Sequence, residues 1–320
     1  MALVEPFMVK SQFEVGADTA VELEAKTGES LMIKDVILEG EDDTYVLLEI
    51  DKTTVGFFRA FGHLLGGHLS CGYGDYAYDK FLRGTQAKTS ISLINYLVSK
   101  GFMDGYPVAE GQTFRVKPYT TGKKLNNVVI VYEKYDAGDI KADMPNGSES
   151  NEFIFVNYGR SSTNLTSSGD YEINTCVTTE EFPDFPFDAS VPSKMEIEIL
   201  GILGSEVINY SDANTYTQTK YLKMFKGRTC LFDRDKQGLP FYQPVFSGIG
   251  SGTYIARGIS AVGNYTTKDR REPLILPQPL LFKGGEEVKV YITAGQATNT
   301  GEISAVWAEI AFIERVKILE

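Results

Sequence analysis

Apolar and polar residues alternate along much of this chain, and one alternating block occurs twice. In the first half, the turn at Glu110-Gly111-Gln112 leads into Thr113-Phe114-Arg115-Val116. A second turn, Thr120 to Asn127, is followed by the apolar run Val128 to Glu133. In the second half, Gly284-Gly285-Glu286-Glu287 leads into Val288-Lys289-Val290-Tyr291-Ile292. A turn from Ala294 to Gly301 then precedes Ile303 to Glu314. Period-two alternation puts Val288, Val290 and Ile292 on one face of a strand and Glu287, Lys289 and Tyr291 on the other. Each half therefore predicts a closing antiparallel strand pair.

Upstream of each pair the pattern predicts further strands and one helix. Leu31–Leu38, Thr44–Ile50 and Thr54–Phe61 read as strands, with a leading strand within Phe13–Ala25. Thr89–Lys100 places Ile91, Ile94, Leu97 and Val98 at helical spacing. Thr89 or Ser90 is placed to cap its start, and Gly101 to end it in the left-handed conformation. The second half restarts at Lys194 with Met195–Leu200 as the counterpart of Leu31–Leu38. Tyr216–Phe225, Arg228–Asp233 and Phe241–Phe246 are further strand candidates. Thr253–Val262 carries Ile255, Ile259 and Val262 at i, i+4, i+7 and predicts a short helix. Glu152–Tyr158 reads as a strand inside a loop-rich stretch. Phe182-Pro183-Asp184-Phe185-Pro186-Phe187 reads as an extended connector packed along a surface, since each proline biases its predecessor away from helix.

The resulting expectation is an all-β chain of two tandem β-sandwich units, each with a short helix before its last strand pair. The boundaries are an N-terminal arm over 1–12, a first unit over 13–136, a looped connector over 137–190 and a second unit over 191–320. A chain of 320 residues is long enough for two ordinary cores. A formal net charge of -12 argues against a protein built to grip phosphate backbones, so no direct nucleic-acid partner is expected. No stretch has the roughly 20 apolar residues that span a bilayer. No basic opening followed by an apolar run marks a secretory leader. Cys71, Cys176 and Cys230 are an odd, scattered set, read as reduced and mostly buried. The apolar arm Met1–Lys10 predicts an edge strand added to its own or a neighbouring subunit, with contact to a lipid surface as the alternative.

Candidate chemistry is sparse. His63 and His68 share a Gly-rich loop with Cys71 and Asp75, but their spacing matches no paired zinc-ligand arrangement. A cupin-type H-x-H pair is also missing. Gly248-Ile249-Gly250-Ser251-Gly252-Thr253 resembles a phosphate loop without its βαβ context. Glu41-Asp42-Asp43 and Asp233-Arg234-Asp235 lack the twelve-residue calcium pattern. With no G-x-S-x-G and nothing around either histidine, no Ser-His-Asp set is legible. The expectations are accordingly no catalytic residue, no cofactor, no metal and no enzymatic activity.

Two β-sandwich units in tandem, each with a helix before its closing pair, resemble the double jelly-roll major capsid proteins. These build the shells of adenovirus-like and lipid-containing icosahedral viruses. The resemblance covers roughly 13–136 and 171–316, at a length similar to the compact members from small membrane-containing bacteriophages. It implies two jelly rolls, a homotrimer forming a pseudo-hexagonal capsomer, contacts with neighbouring capsomers and minor capsid proteins, and a place in the virion after synthesis in the host cytoplasm. An internal membrane under the shell is implied as well, with the arm as its contact. The rival reading is a pair of carbohydrate-binding or adhesin modules. It is weakened because the single tryptophan, Trp307, lies in the apolar run Ala305-Val306-Trp307-Ala308 and not on an exposed platform.

Overall fold

A computed structural model describes residues 3–40, 44–60, 69–70, 92–140, 151–163, 169–203, 219–232, 239–240, 245–247, 254–256, 263–266, 270–294 and 309–319. Apart from one short helix, its regular elements are all strands. They fall into two compact units. The first draws its described residues from 1–72, 90–156 and 315–318, the second from 157–314 and 319.

In the first unit the strands are β1 (Leu3–Phe13), β2 (Val21–Glu24), β3 (Glu29–Gly40), β4 (Thr44–Ile50), β5 (Thr53–Ala60) and β6 (Leu69–Ser70). After them come α1 (Leu93–Ser99), β7 (Tyr106–Val108), β8 (Thr113–Pro118) and β9 (Leu125–Asp136). One sheet runs β1-β9-β3-β7 and the other β2-β8-β4-β5-β6, with every pairing antiparallel. Alternation works as expected here. Leu31, Ile33, Val46, Leu48, Phe114, Val116, Val128 and Ile130 turn inward and are buried.

The helix is shorter than the pattern predicts. Its cap is Ser92, not Thr89 or Ser90. The Ser92 hydroxyl accepts from the Asn95 N–H at 3.2 Å and donates to the buried Asp35 carboxylate on β3, which also accepts from the Val36 N–H at 2.8 Å. Asp35 thus selects which serine caps, information that lies 57 residues away in the sequence. The helix end is as expected: Gly101 has φ +73, and Phe102 N–H donates to Leu97 O at 2.9 Å.

The second unit holds β10 (Glu152–Ser161) from Asn157 on, then β11 (Gly169–Cys176), β12 (Met195–Leu203), β13 (Thr219–Lys226), β14 (Thr229–Cys230) and β15 (Leu239–Pro240). Next come β16 (Val245–Ser247), β17 (Tyr254–Ala256), β18 (Gly263–Thr266), β19 (Arg270–Lys283), β20 (Lys289–Ala294) and β21 (Glu309–Ile318) up to Glu314. One long sheet runs β14-β13-β20-β11-β10-β21-β12-β19-β18, with β15 beside β13; β16 and β17 form a separate pair.

The arm forms the edge strand expected of it, on its own chain: residues 3–13 are β1, paired with β9 from Leu3↔Tyr135 to Phe13↔Asn127. Other expectations need correction here. Residues 152–176, expected in a connector, hold β10 and β11. Within Thr253–Val262, Tyr254–Ala256 is strand β17, paired with Val245–Ser247. Three apolar residues at helical spacing are outweighed there by the β preference of Tyr254-Ile255 and a pairing partner. The Phe182–Phe187 segment packs through its aromatics, as their spacing predicts, with all three phenylalanines buried.

The segment is drawn inward by specific contacts. Asn157, fully buried on β10, donates through its amide to Pro183 O at 3.0 Å and Phe185 O at 2.7 Å. Phe185 packs on Phe282 with ring centroids 4.9 Å apart, and Phe187 on Phe312 at 5.6 Å. Gly159 makes room: a Cβ there would stand 2.2 Å from the Phe187 ring.

One turn in each unit is held by the same set of hydrogen bonds. In the first, Ala25 N–H donates to Gln112 O at 2.9 Å and Gly111 N–H to Ala25 O at 2.8 Å. In the second, Val191 N–H donates to Glu286 O at 3.0 Å and Gly285 N–H to Val191 O at 2.8 Å. Gln112 Oε1 accepts from the Ala109 N–H, as Glu286 Oε2 accepts from the Lys283 N–H. Gly111 and Gly285 have φ +81 and +82.

Candidate functional site

The most unusual surface is β1. It ends its sheet, so one row of its backbone groups faces away from β9. Two register shifts, between Leu3 and Glu5 and between Glu5 and Met8, bend the strand around Pro6, which has no N–H to give. Opposition to Lys134, Tyr132, Ile130 and Val128 puts Glu5, Met8, Lys10 and Gln12 on the inward row. Leu3, Val4, Phe7, Val9 and Phe13 stay exposed, Phe7 at 68% and Phe13 at 65%. A free edge carrying that much apolar side chain is what soluble proteins ordinarily cover.

Beneath it, the side of the sandwich between β1 and β2 is open. These two strands are not neighbours in either sheet, and a cleft of about 550 Å³ lies there. Lys10, Glu22, Glu24, Lys26, Glu29, Tyr132 and Lys134 supply its polar lining. Lys134 Nζ meets Glu29 Oε2 at 2.8 Å. That hydrogen bond holds the Glu29 carboxyl below its usual range and the Lys134 amine above its own. Arg115 pairs with Glu22 at 2.7 Å. Opposite charges already neutralise one another, so the cleft is polar without a net field.

In the second unit the first two strands, β10 and β11, pair with each other through Gly159↔Cys176, Arg160↔Thr175 and Ser161↔Ile173. Behind this seam sits a buried polar group of unusual character. Glu314 on β21 is fully buried, and neither carboxylate oxygen has a hydrogen-bond partner among the described residues. Burial alone drives its carboxyl well above the usual range. The Cys176 thiol donates to Asn157 Oδ1 at 3.3 Å. Burial, with Asp184 second, pushes it up to about 12, so it is a neutral donor and not a thiolate. Cys176 and Cys230 are free and half-buried, less buried than their sequence context predicts.

His63, His68, Cys71, Asp75, Glu41–Asp43, Asp233–Asp235, Gly248–Thr253 and Trp307 all lie outside the described residues. No group of three potential metal ligands occurs among the described residues. None of their helices is long and apolar enough to cross a membrane, which says nothing of strands. Sequence reasoning missed Glu314 and Asn157. Glu314 was readable: it falls on the inward row Ile310, Phe312, Glu314, Val316, where a charge is out of place. Asn157 was not, because its role depends on carbonyls 26 and 28 residues away.

No family model matches the chain, and no curated protein does. Among solved structures it is similar to a crystal structure of peptide-N(4)-(N-acetyl-β-D-glucosaminyl) asparagine amidase. The TM-score is 0.28 at 9% identity, over 97% of this chain and 96% of that one. A recombinant peptide:N-glycanase F is similar with a TM-score of 0.23 and 11% identity, over 98% and 96%. Both are enzymes. The expectation that this chain has no enzymatic activity is therefore corrected and not carried further. Likeness at these TM-scores assigns no reaction, and it adds nothing to the all-β architecture described above.

Proposed function

We propose that the chain is a structural shell protein of the double jelly-roll kind, a viral major capsid protein that self-associates as trimers. The carrying observation is the nested strand pairing, present twice. A jelly roll is a long antiparallel hairpin folded over on itself, so first pairs with last, second with next-to-last, and so on inward. In the first unit the pairs are β1·β9, β2·β8, β3·β7 and β4·β5, distributed as β1-β9-β3-β7 and β2-β8-β4-β5. In the second, β10-β21-β12-β19 and β11-β20-β13-β14 hold the same places. The repeated hydrogen bonds around Ala25 and Val191 support the same duplication.

The bare β1 edge favours a protein that meets copies of itself, since an exposed apolar strand is a liability in an isolated chain. Minor capsid proteins and an underlying membrane follow from the capsid reading as further partners.

Light scattering on the purified chain, with negative-stain imaging of the same peak, tests the reading. Three chains of 35.4 kDa give about 106 kDa and, with two barrels each, a six-lobed ring. A monomer that persists at high concentration overturns it.

A further inference from the structure

The first two strands of the first unit leave a side open, whereas those of the second unit pair, with a carboxyl buried behind the pairing. β9 and β21 both lie between the first and third strands of their units. Their inward rows begin Val128, Ile130 and Ile310, Phe312, all buried, so the next inward positions, Tyr132 and Glu314, correspond. Tyr132 lines the open cleft beside β1 and β2. Glu314 has no such outlet because β10·β11 closes over it.

We propose that the β10·β11 seam is a pH-responsive gate, kept shut by the neutral form of Glu314 and loosened when that carboxyl ionises. The groups that face Glu314 offer no alternative. β11 contributes Cys176, close enough for the two to interact electrostatically; Asp184, which acts on that thiol, is itself exposed. β10 turns Asn157 and Gly159 to this side, and β12 turns Ile197 and Ile199, with Glu196 and Glu198 on its other face. Among the described residues, the titratable groups near Glu314 are thus a neutral thiol and, exposed beside that thiol, an acid, and neither can compensate a buried anion. The seam itself is short: three pairs among the described residues, with a register shift between Arg160 and Ser161. Breaking it would give Glu314 the access to water that Tyr132 already has.

The sign is fixed by linkage. Closure binds a proton that the opened form releases at an ordinary carboxylate value. Closure is therefore fully favoured below that range and is lost progressively as pH rises above it. While the pH lies between the opened and closed values, the opening equilibrium grows by up to about tenfold per pH unit.

Hydrogen–deuterium exchange on the full chain tests this from about pH 6 to about pH 9, with times scaled for the intrinsic exchange rate. Protection at 159–161 and 173–176 is expected to fall by up to about tenfold per unit, while β4·β5 keeps its protection. Glu314→Gln is expected to flatten the seam's response. Glu314→Leu, which leaves no polar atom to satisfy, serves if Gln disturbs the packing, and thermal unfolding shows that each variant is folded. Equal slopes in wild type and the folded variants overturn the gate. So does a loss of protection spread evenly over the second unit, which would mean global unfolding. The gate stands on the second unit alone and does not depend on trimer formation.

Discussion

Gly159 shows how one absent side chain sets a local architecture. The Phe187 ring lies against β10 where a Cβ would be, with ring carbons 2.2, 2.3 and 2.5 Å from it. Phe187 also packs on Phe312, and its segment is tied by Asn157, so the ring has little freedom to retreat. Gly159→Ala is therefore expected to destabilise the second unit by about 1–3 kcal/mol through overpacking. Calorimetry checks it, and an unchanged melting temperature would show that the ring can move after all. Little of this was legible in advance. The aromatic spacing of Phe182, Phe185 and Phe187 announced that the segment packs on something, but the pocket comes from Gly159 and Asn157, which carry no local pattern. At this scale the sequence reveals inward rows. It does not reveal which distant carbonyl or ring a residue meets.

Strands were legible where alternation ran unbroken and illegible where prolines interrupted it. Thr44–Ile50 stands at the boundaries its pattern predicts, and Leu31–Leu38 lies within β3. β19 was missed because Pro273, Pro277 and Pro279 make it read as a linker. It pairs with β12 as Ile199↔Leu280 and then Gly201↔Ile275, so Pro277 and Pro279 fall in the register break, where no N–H is required of them. β1 makes the opposite point: its apolar character was plain, and its place as the edge of the first sheet needed the pairing with β9. The strand's exposed residues also carry a prediction. Phe7→Lys adds a charge at a position 68% exposed, so the fold should tolerate it with a stability change within about 0.5 kcal/mol. Self-association should weaken, seen by light scattering as a shift toward lower mass at fixed concentration. Unchanged association would remove β1 from the contact surface.

Across the whole molecule, duplication makes a quantitative claim. Gly111 and Gly285 occupy matched turns with φ +81 and +82, and no atom lies within 4 Å of where a Cβ would be at either. Replacing either by Ala should cost about 1–2 kcal/mol from the left-handed backbone alone. The two costs should be alike. They should also add within about 0.5 kcal/mol in the double variant, because the sites share no partner. Denaturant unfolding of the three variants measures this, and a large inequality would break the equivalence of the turns.

The last strand of each unit is a central one, which sets an order of events during synthesis. β9 lies between β1 and β3, and its residues leave the ribosome while nearly all of the second unit is still unmade. The four-stranded sheet can therefore assemble early and alone. β21 lies between β10 and β12 and spans Glu309–Ile318, so the second sheet stays split in two until those final residues emerge. Until then β10 and β12 have no neighbour on their β21 sides, and a nascent chain stalled before Glu309 would expose two unpaired edges to every copy made beside it.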